Sequence, residues 1–210
     1  KQVDGIIGAP CCSEHQHNSH LTQVLEDGRA LKLFDRAVTD LDVEAICCEF
    51  TEVAKQATTR LLEAGHRHIA YVTSMALATD YSTPGDFGLT PVAQRVGGMI
   101  QAFAAAGVAF DPTLVKVNAL DEAEIARIVA ELWQRPQPPT ALVASDSVVA
   151  MWLLREVTQR GLRIPADLSF VMYDNFPWSE IVTPPLTVVA QPVYEMGREA
   201  ARRLISEIRG

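Results

Sequence analysis

Basic residues are scarce and scattered along this chain. Lysine and arginine together number 18 against 26 aspartates and glutamates, a formal net charge of -8. Phosphate contacts need clustered cationic side chains, so this balance argues against nucleic acid or an anionic membrane as the direct partner of these residues. Long hydrophobic runs are missing as well. No apolar stretch approaches the ~20 residues that a membrane span requires, and no basic-then-apolar leader opens the sequence. Cysteine occurs four times, as the adjacent pairs Cys11-Cys12 and Cys47-Cys48, which is not the spaced framework of a small disulfide-stapled domain. A reducing cytoplasm is the expected compartment. Enzyme signatures are lacking too: there is no Gly-rich phosphate loop with Lys-Ser/Thr, no G-x-S-x-G elbow, no H-E-x-x-H and no pair of C-x-x-C knuckles. The expectation is a protein with no catalytic residue, no metal site and no cofactor.

What is present is an apolar content of 48% over 210 residues, enough for a sizeable core in one large domain or two lobes. Short β-branched runs alternate with helical patterns, which predicts an α/β fold with mostly parallel sheets. The strand candidates begin at Val3, Ala30, Glu44, His68, Thr113, Thr140, Leu168 and Leu186. Helix signals fill most gaps. Thr90 and Pro91 precede an apolar stripe of Val92, Val96, Met99, Ile100 and Phe103. Asp121 and Glu124 have capping-box spacing ahead of Ile125, Ile128, Val129 and Leu132. A further helix is predicted from about Ser147 to Arg160, and a last stripe runs through Val193, Met196, Ala200, Leu204 and Ile208. The irregular stretch from Ser74 to Thr90 follows a strand and precedes a helix. That order puts it at the carboxyl ends of a parallel sheet, where open α/β folds bind ligands. His66 and His68 in "GHRHIAYVTS" are most simply helix-exit and strand-entry residues, since no nucleophile pattern accompanies them.

The segment "CCSEHQHNSH" looks superficially like a metal or redox site. Adjacent cysteines do not easily both face one ion, however, and zinc needs four converging ligands. His17 and His20 have the spacing to share a helical face, whereas His15 lies in the approach to it. A loop and first helical turn with one buried cysteine is the simpler expectation, with metal, redox and ligand-pocket roles as the alternatives.

Six stretches, in order, resemble the effector-binding domain of the lactose-repressor/galactose-repressor (LacI/GalR) family of transcriptional regulators. They are "VDGIIG", "ALKLFDR", "ATTRLLEAGHRHIAYVTS", "QRVGGMIQAFAAAG", "PTALVASDSVVAMWLLREVTQRGLRIPADLSFVMYDN" and "TPPLTVVAQPVYEMGREAARRL". The resemblance implies a two-lobed, periplasmic-binding-protein-like (type I) fold with an effector cleft between the lobes. The first lobe would comprise residues 1–47 and 191–210, and the second 48–190. Family members begin with a helix-turn-helix and a βαβα unit, which this sequence does not contain, so the first lobe is expected to be N-terminally truncated, with an open sheet edge and apolar helix faces. The resemblance also implies a homodimer, operator DNA bound only through the absent helix-turn-helix, and a sugar or sugar derivative as effector. The alternative is a periplasmic sugar-binding protein of a transporter.

Polyol ligands need charged groups for paired hydroxyls and an apolar wall for the ring. On the family pattern Asp35, at the end of "KLFD", resembles the cleft carboxylate of the first lobe or else is a turn or capping residue. Arg95, in "QRVGG", offers a planar fork to ligand oxygens or is a surface arginine paired with an acid. Asp174, in "YDN", is the strand-end carboxylate of the second lobe or a helix cap. Ser145, Asp146 and Gln191 are weaker candidates at the same strand ends and crossing. Where the family often places an aromatic ring this chain has Ala119 and Leu120, the usual Gly before Tyr-Asp is Met172, and the Asp-Asn pair opening the second lobe is Glu49-Phe50. Phe50, Tyr81 or Phe87 is therefore the expected substitute stacking face.

Overall fold

A computed structural model describes residues 3–10, 18–88 and 90–210. The pairs and histidines at Cys11, Cys12, His15 and His17 lie outside the described residues. The chain divides into two compact units, the first formed by Lys1–Glu49, Gly88–Pro91 and Pro192–Gly210 and the second by Phe50–Phe87 and Val92–Gln191. The unit boundaries lie after Glu49 and after Gln191, and the short piece Gly88–Pro91 groups with the first unit.

The first unit carries three parallel strands in the order β1-β2-β3: β1 (Gly5–Gly8), β2 (Ala30–Phe34) and β3 (Ala45–Ile46). Helix α1 (Ser19–Glu26) connects the first two, and α7 (Val193–Arg209) packs along all three. The packing of α7 is close. A Cβ added at Gly5 would lie 2.9 Å from Ile208 Cδ1 and 3.0 Å from Leu204 Cδ1, so the missing side chain is what lets the helix approach β1. Lys32, on the central strand, is 8% exposed and reaches Glu44 and Glu207, while Arg203 of α7 bonds Glu44 and Glu199. These carboxylates keep the Lys32 ammonium above its ordinary pKa, Glu207 contributing most.

The second unit is a five-stranded parallel sheet in the order β5-β4-β6-β7-β8. Its strands are β4 (Ile69–Val72), β5 (Val115–Lys116), β6 (Ala141–Ala144), β7 (Ser169–Tyr173) and β8 (Thr187–Val189). Strands β4 and β6 are buried along their whole length, which is why they read as continuous apolar runs rather than alternating ones. Helix α2 (Thr51–Glu63) leads into β4, and α3 (Pro91–Ala105) follows it. Helices α4 (Glu122–Trp133) and α5 (Ser147–Gln159) follow β5 and β6, and the short α6 (Trp178–Ile181) lies between β7 and β8. Right-handed crossovers place α3 on one face and α4 and α5 on the other, because β4 to β5 runs in one direction across the sheet and β5 to β6 in the opposite one. The core agrees: Ile125, Ile128 and Leu132 of α4 and Val149, Leu153 and Val157 of α5 join Ala70, Leu142, Phe170 and Met172 in one buried cluster.

The parallel α/β architecture expected from the sequence is present, and each of the eight strand candidates contains an observed strand. The candidate at Thr113 is shortened. Pro112–Leu114 makes a 3-10 turn, and Asn118 at φ 59° turns the chain away, leaving Val115–Lys116 as β5. The stretch after Ser74 is more ordered than an irregular loop. The Asn118 side chain exchanges two hydrogen bonds with the Leu77 backbone, Asp86 accepts from Ser82 and Thr83, and Pro84–Phe87 forms a 3-10 turn.

Candidate functional site

Strand order in the second unit reverses between β4 and β6, and such a reversal opens a crevice outside the carboxyl ends of the two strands. Ser74 follows β4, Ser145 and Asp146 follow β6, and Asp174 follows β7. Three of the predicted residues, Arg95, Phe50 and Ser145, touch one another here through Arg95, and Asp146 joins them through the Ser145 hydroxyl.

Arg95 stands on α3 and is 6% exposed, so it is not a surface arginine paired with an acid. Its Cζ lies 4.3 Å from the centre of the Phe50 ring and 4.2 Å from that of Tyr173. The two rings meet edge to face. One terminal nitrogen donates to the Ser145 carbonyl at 2.6 Å. Cation–π attraction from two faces and one charge-assisted hydrogen bond together fix a side chain that otherwise has many rotamers. Beneath it the Tyr71 hydroxyl is buried without a hydrogen-bond partner, as is Arg95 Nε. Burial pushes the Tyr71 phenol up to about 12, partly opposed by the charge and the hydrogen-bonding reach of the Arg95 guanidinium. Tyr173 is raised further by burial and by Tyr71.

Phe50 is thus an arginine platform. Its ring is 3% exposed and its backbone N–H donates to Gln94 Oε1. The other proposed stacking residues are also engaged internally. Tyr81 and Phe87 stack on each other at 5.2 Å between centroids and are 6% and 1% exposed. The expectation of a free aromatic face from these three is corrected by the structure, since apolar rings in a small loop bury themselves against the nearest partner.

Asp146 is committed to architecture. Oδ1 caps α5 by accepting from the Val148 and Val149 amides, and Oδ2 accepts from the hydroxyls of Ser145 and Ser74. Ser145 itself is 2% exposed, and it contributes its carbonyl to Arg95. Asp174 does not cap a helix. It sits in the left-handed region at φ 70°, its N–H donates to the Val189 carbonyl, and its carboxylate accepts from the Gln191 side-chain amide. The half-buried carboxylate is therefore presented at the sheet end with its orientation set by Gln191.

Asp35 belongs to the first unit. It ends β2 in the same left-handed conformation, φ 73°, with its N–H on the Ile46 carbonyl and its carboxylate 3.5 Å from Arg36 Nη2. Aspartate tolerates this backbone better than most side-chain-bearing residues. Near it the Cys47 thiol is held above its ordinary value by partial desolvation and then by the Asp35 charge. Cys48 points its sulfur at Met196 Sδ, and Cys47 is exposed. Among the described residues no three His, Cys, Asp or Glu side chains are grouped as a metal site requires.

Sequence reasoning missed Tyr71, Tyr173 and Ser74. Tyr71 is the single polar-tipped side chain in the buried run "IAYV", and that oddity was the available signal. Tyr173 adjoins Asp174 in "MYDN" but reads as ordinary strand filling.

Comparison with known proteins gives the arrangement a context. Residues 58–210 match the family model described as a periplasmic binding protein-like domain. A probable opine utilization operon repressor from Rhizobium rhizogenes is 33% identical over 157 residues, 75% of this chain and 77% of that protein. A putative ribose operon repressor from Burkholderia thailandensis superposes with a TM-score of 0.80 at 28% identity, covering 100% of this chain and 72% of the other. A structure of the transcriptional regulator CelR in complex with cellobiose gives a TM-score of 0.79 at 30% identity, over 99% of this chain and 60% of that one. Against several other curated relatives the chain spans about half of their length. On the match of its residues 58–210 and on these likenesses, the chain belongs to the periplasmic binding protein-like domain family, in the form carried by LacI/GalR transcriptional regulators.

Proposed function

We propose that this chain is the effector-binding and dimer-forming part of a cytoplasmic LacI-type regulator and that it senses a small polar metabolite, a sugar or sugar derivative. The carrying observation is the fixation of Arg95 at the strand-order reversal, with its guanidinium held between Phe50 and Tyr173 and anchored on Ser145. Preorganisation of this kind reduces the ordering cost of ligand binding. Asp174, held by Gln191, supplies the acceptor that hydroxyl groups need, and Asp35 is the corresponding strand-end carboxylate of the first unit. Ser145 and Asp146 act indirectly, by holding Arg95 and the start of α5. No enzyme activity is assigned. The relatives are named as regulators and one solved structure is of such a regulator in complex with cellobiose, which favours sensing over the transporter-associated binding protein.

In this reading the effector shifts the populations of two conformations, and operator DNA is contacted through a helix-turn-helix outside these residues. The coupling is reciprocal, so an effector that weakens operator binding is itself bound less tightly when operator is present. The test is a thermal-shift screen of mono- and disaccharides followed by calorimetry of the best binder on wild type and Arg95→Ala. At least a tenfold loss of affinity is expected, on the order of one charge-assisted contact. Equal affinities would remove Arg95 from the site.

A further inference from the structure

Among the described residues the buried guanidinium of Arg95 has no counter-ion. Arg95 is 6% exposed, and among the described residues it forms no ion pair. Two ring faces and one carbonyl hold it, which are a pair of quadrupoles and a dipole rather than a negative charge. A buried charge is costly unless another charge or a full set of hydrogen bonds meets it.

The nearby acids do not fill that role. The Asp146 carboxylate already accepts from two backbone amides and two serine hydroxyls. The Asp174 carboxylate is turned to Gln191. The Tyr71 hydroxyl, on a side chain 1% exposed, and Arg95 Nε are also buried without a well-formed hydrogen bond, although the phenol oxygen is close enough to the guanidinium to feel its donors. A planar group with two acceptor oxygens and one negative charge answers both deficits, because a carboxylate matches the guanidinium fork.

We propose that the ligand is a polyhydroxylated carboxylic acid, its carboxylate facing Arg95 and Tyr71 and its hydroxyls donating to Asp174. The proposal rests on the effector-binding reading and narrows its ligand class from sugars to sugar acids. The resident carboxylates of Asp146 and Asp174 favour a monoanion over a phosphate ester, whose second charge they would repel.

Purified chain is titrated at fixed ionic strength with matched sets: glycerol, glycerate and glycerol 3-phosphate; glucose and gluconate; galactose and galacturonate. Concentrations up to about 50 mM read out millimolar sites. In at least one set the acid is expected to bind ten times more tightly than its neutral partner and to raise the melting midpoint by about 3 °C near tenfold saturation. Arg95→Met keeps an aliphatic stem between the rings and abolishes that preference. Phe50→Asp gives the guanidinium a carboxylate of its own and cuts the acid-to-neutral affinity ratio at least tenfold, which decides the matter should Arg95→Met fail to fold. Neutral members binding as well as their acids, or glycerol 3-phosphate binding best, would overturn the anion class while leaving effector binding intact. Silence from every member would overturn both.

Discussion

The side-chain amide of Gln191 donates to the carboxylate of Asp174 at 2.5 Å, joining the residue after β7 to the last residue of the second unit. A carboxylate on a left-handed backbone is held by few local contacts, so its direction depends on that amide. Gln191→Glu replaces the donor with a second acid, and two adjacent carboxylates raise one another's pKa. Ligand affinity in this variant is expected to fall about tenfold at pH 7.5 and to recover partly toward pH 5, where one of the pair is protonated. Calorimetry at the two pH values checks this, and wild-type affinity at both would detach the pair from the site.

Asp146 makes the opposite prediction. With its oxygens spent on α5 and two serines, Asp146→Ala should act first on stability, costing about 1–2 kcal/mol as lost N-caps do. Asp146→Ser should restore most of that, since serine also caps. Urea midpoints of the three proteins decide, and an Asp146→Ala protein as stable as wild type would refute the structural assignment.

Much of this architecture was legible because its signals are local. Buried parallel strands announce themselves as apolar runs, and Asp121 does cap α4 by accepting from the Glu124 amide. Asp146, by contrast, entered the candidate list through its position at a strand end and turned out to be a cap. Arg95 was visible through its spacing to glycine, but its clamp was not. Phe50 and Tyr173 reach it only through the packing of α3 over the sheet, and sequence composition does not say whether an aromatic ring will meet a ligand, another ring or a cation. The same blindness applied to Tyr81 and Phe87, which satisfied each other.

Two adjacent glycines of α3 have opposite tolerances. A Cβ on Gly98 would lie 2.1 Å from the Thr51 carbonyl oxygen and 2.9 Å from Ala54 Cβ, whereas one on Gly97 meets nothing within 4 Å. Gly98 is therefore where α2 and α3 touch backbone to backbone. Gly98→Ala must push the helices apart and is expected to cost about 2–3 kcal/mol. Gly97→Ala gains helix propensity, about 0.5–1 kcal/mol. Chemical denaturation of both variants checks the pair, and similar midpoints would contradict the packing.

His66 joins three segments at the amino ends of the strands. Its Nδ1 lies 2.8 Å from Thr140 Oγ1 beside β6, and its Nε2 lies 2.8 Å from Ser169 Oγ at the start of β7. Burial lowers the ring's pKa from the ordinary 6.5. Below that pH the unfolded chain binds more protons at this site than the folded one does, so stability rises with pH there. The contribution is complete above 6.5 and is lost as pH falls through the depressed folded value. Wild type should consequently have a lower urea midpoint at pH 5.5 than at pH 7.5. His66→Gln, which keeps one of the hydrogen bonds, is expected to lose about 1 kcal/mol at pH 7.5 and to show a smaller difference between the two pH values. Carboxylates titrating elsewhere affect both proteins alike, so the comparison isolates the imidazole. Identical pH dependence in wild type and variant would mean that His66 holds β6 and β7 together without coupling the fold to protons.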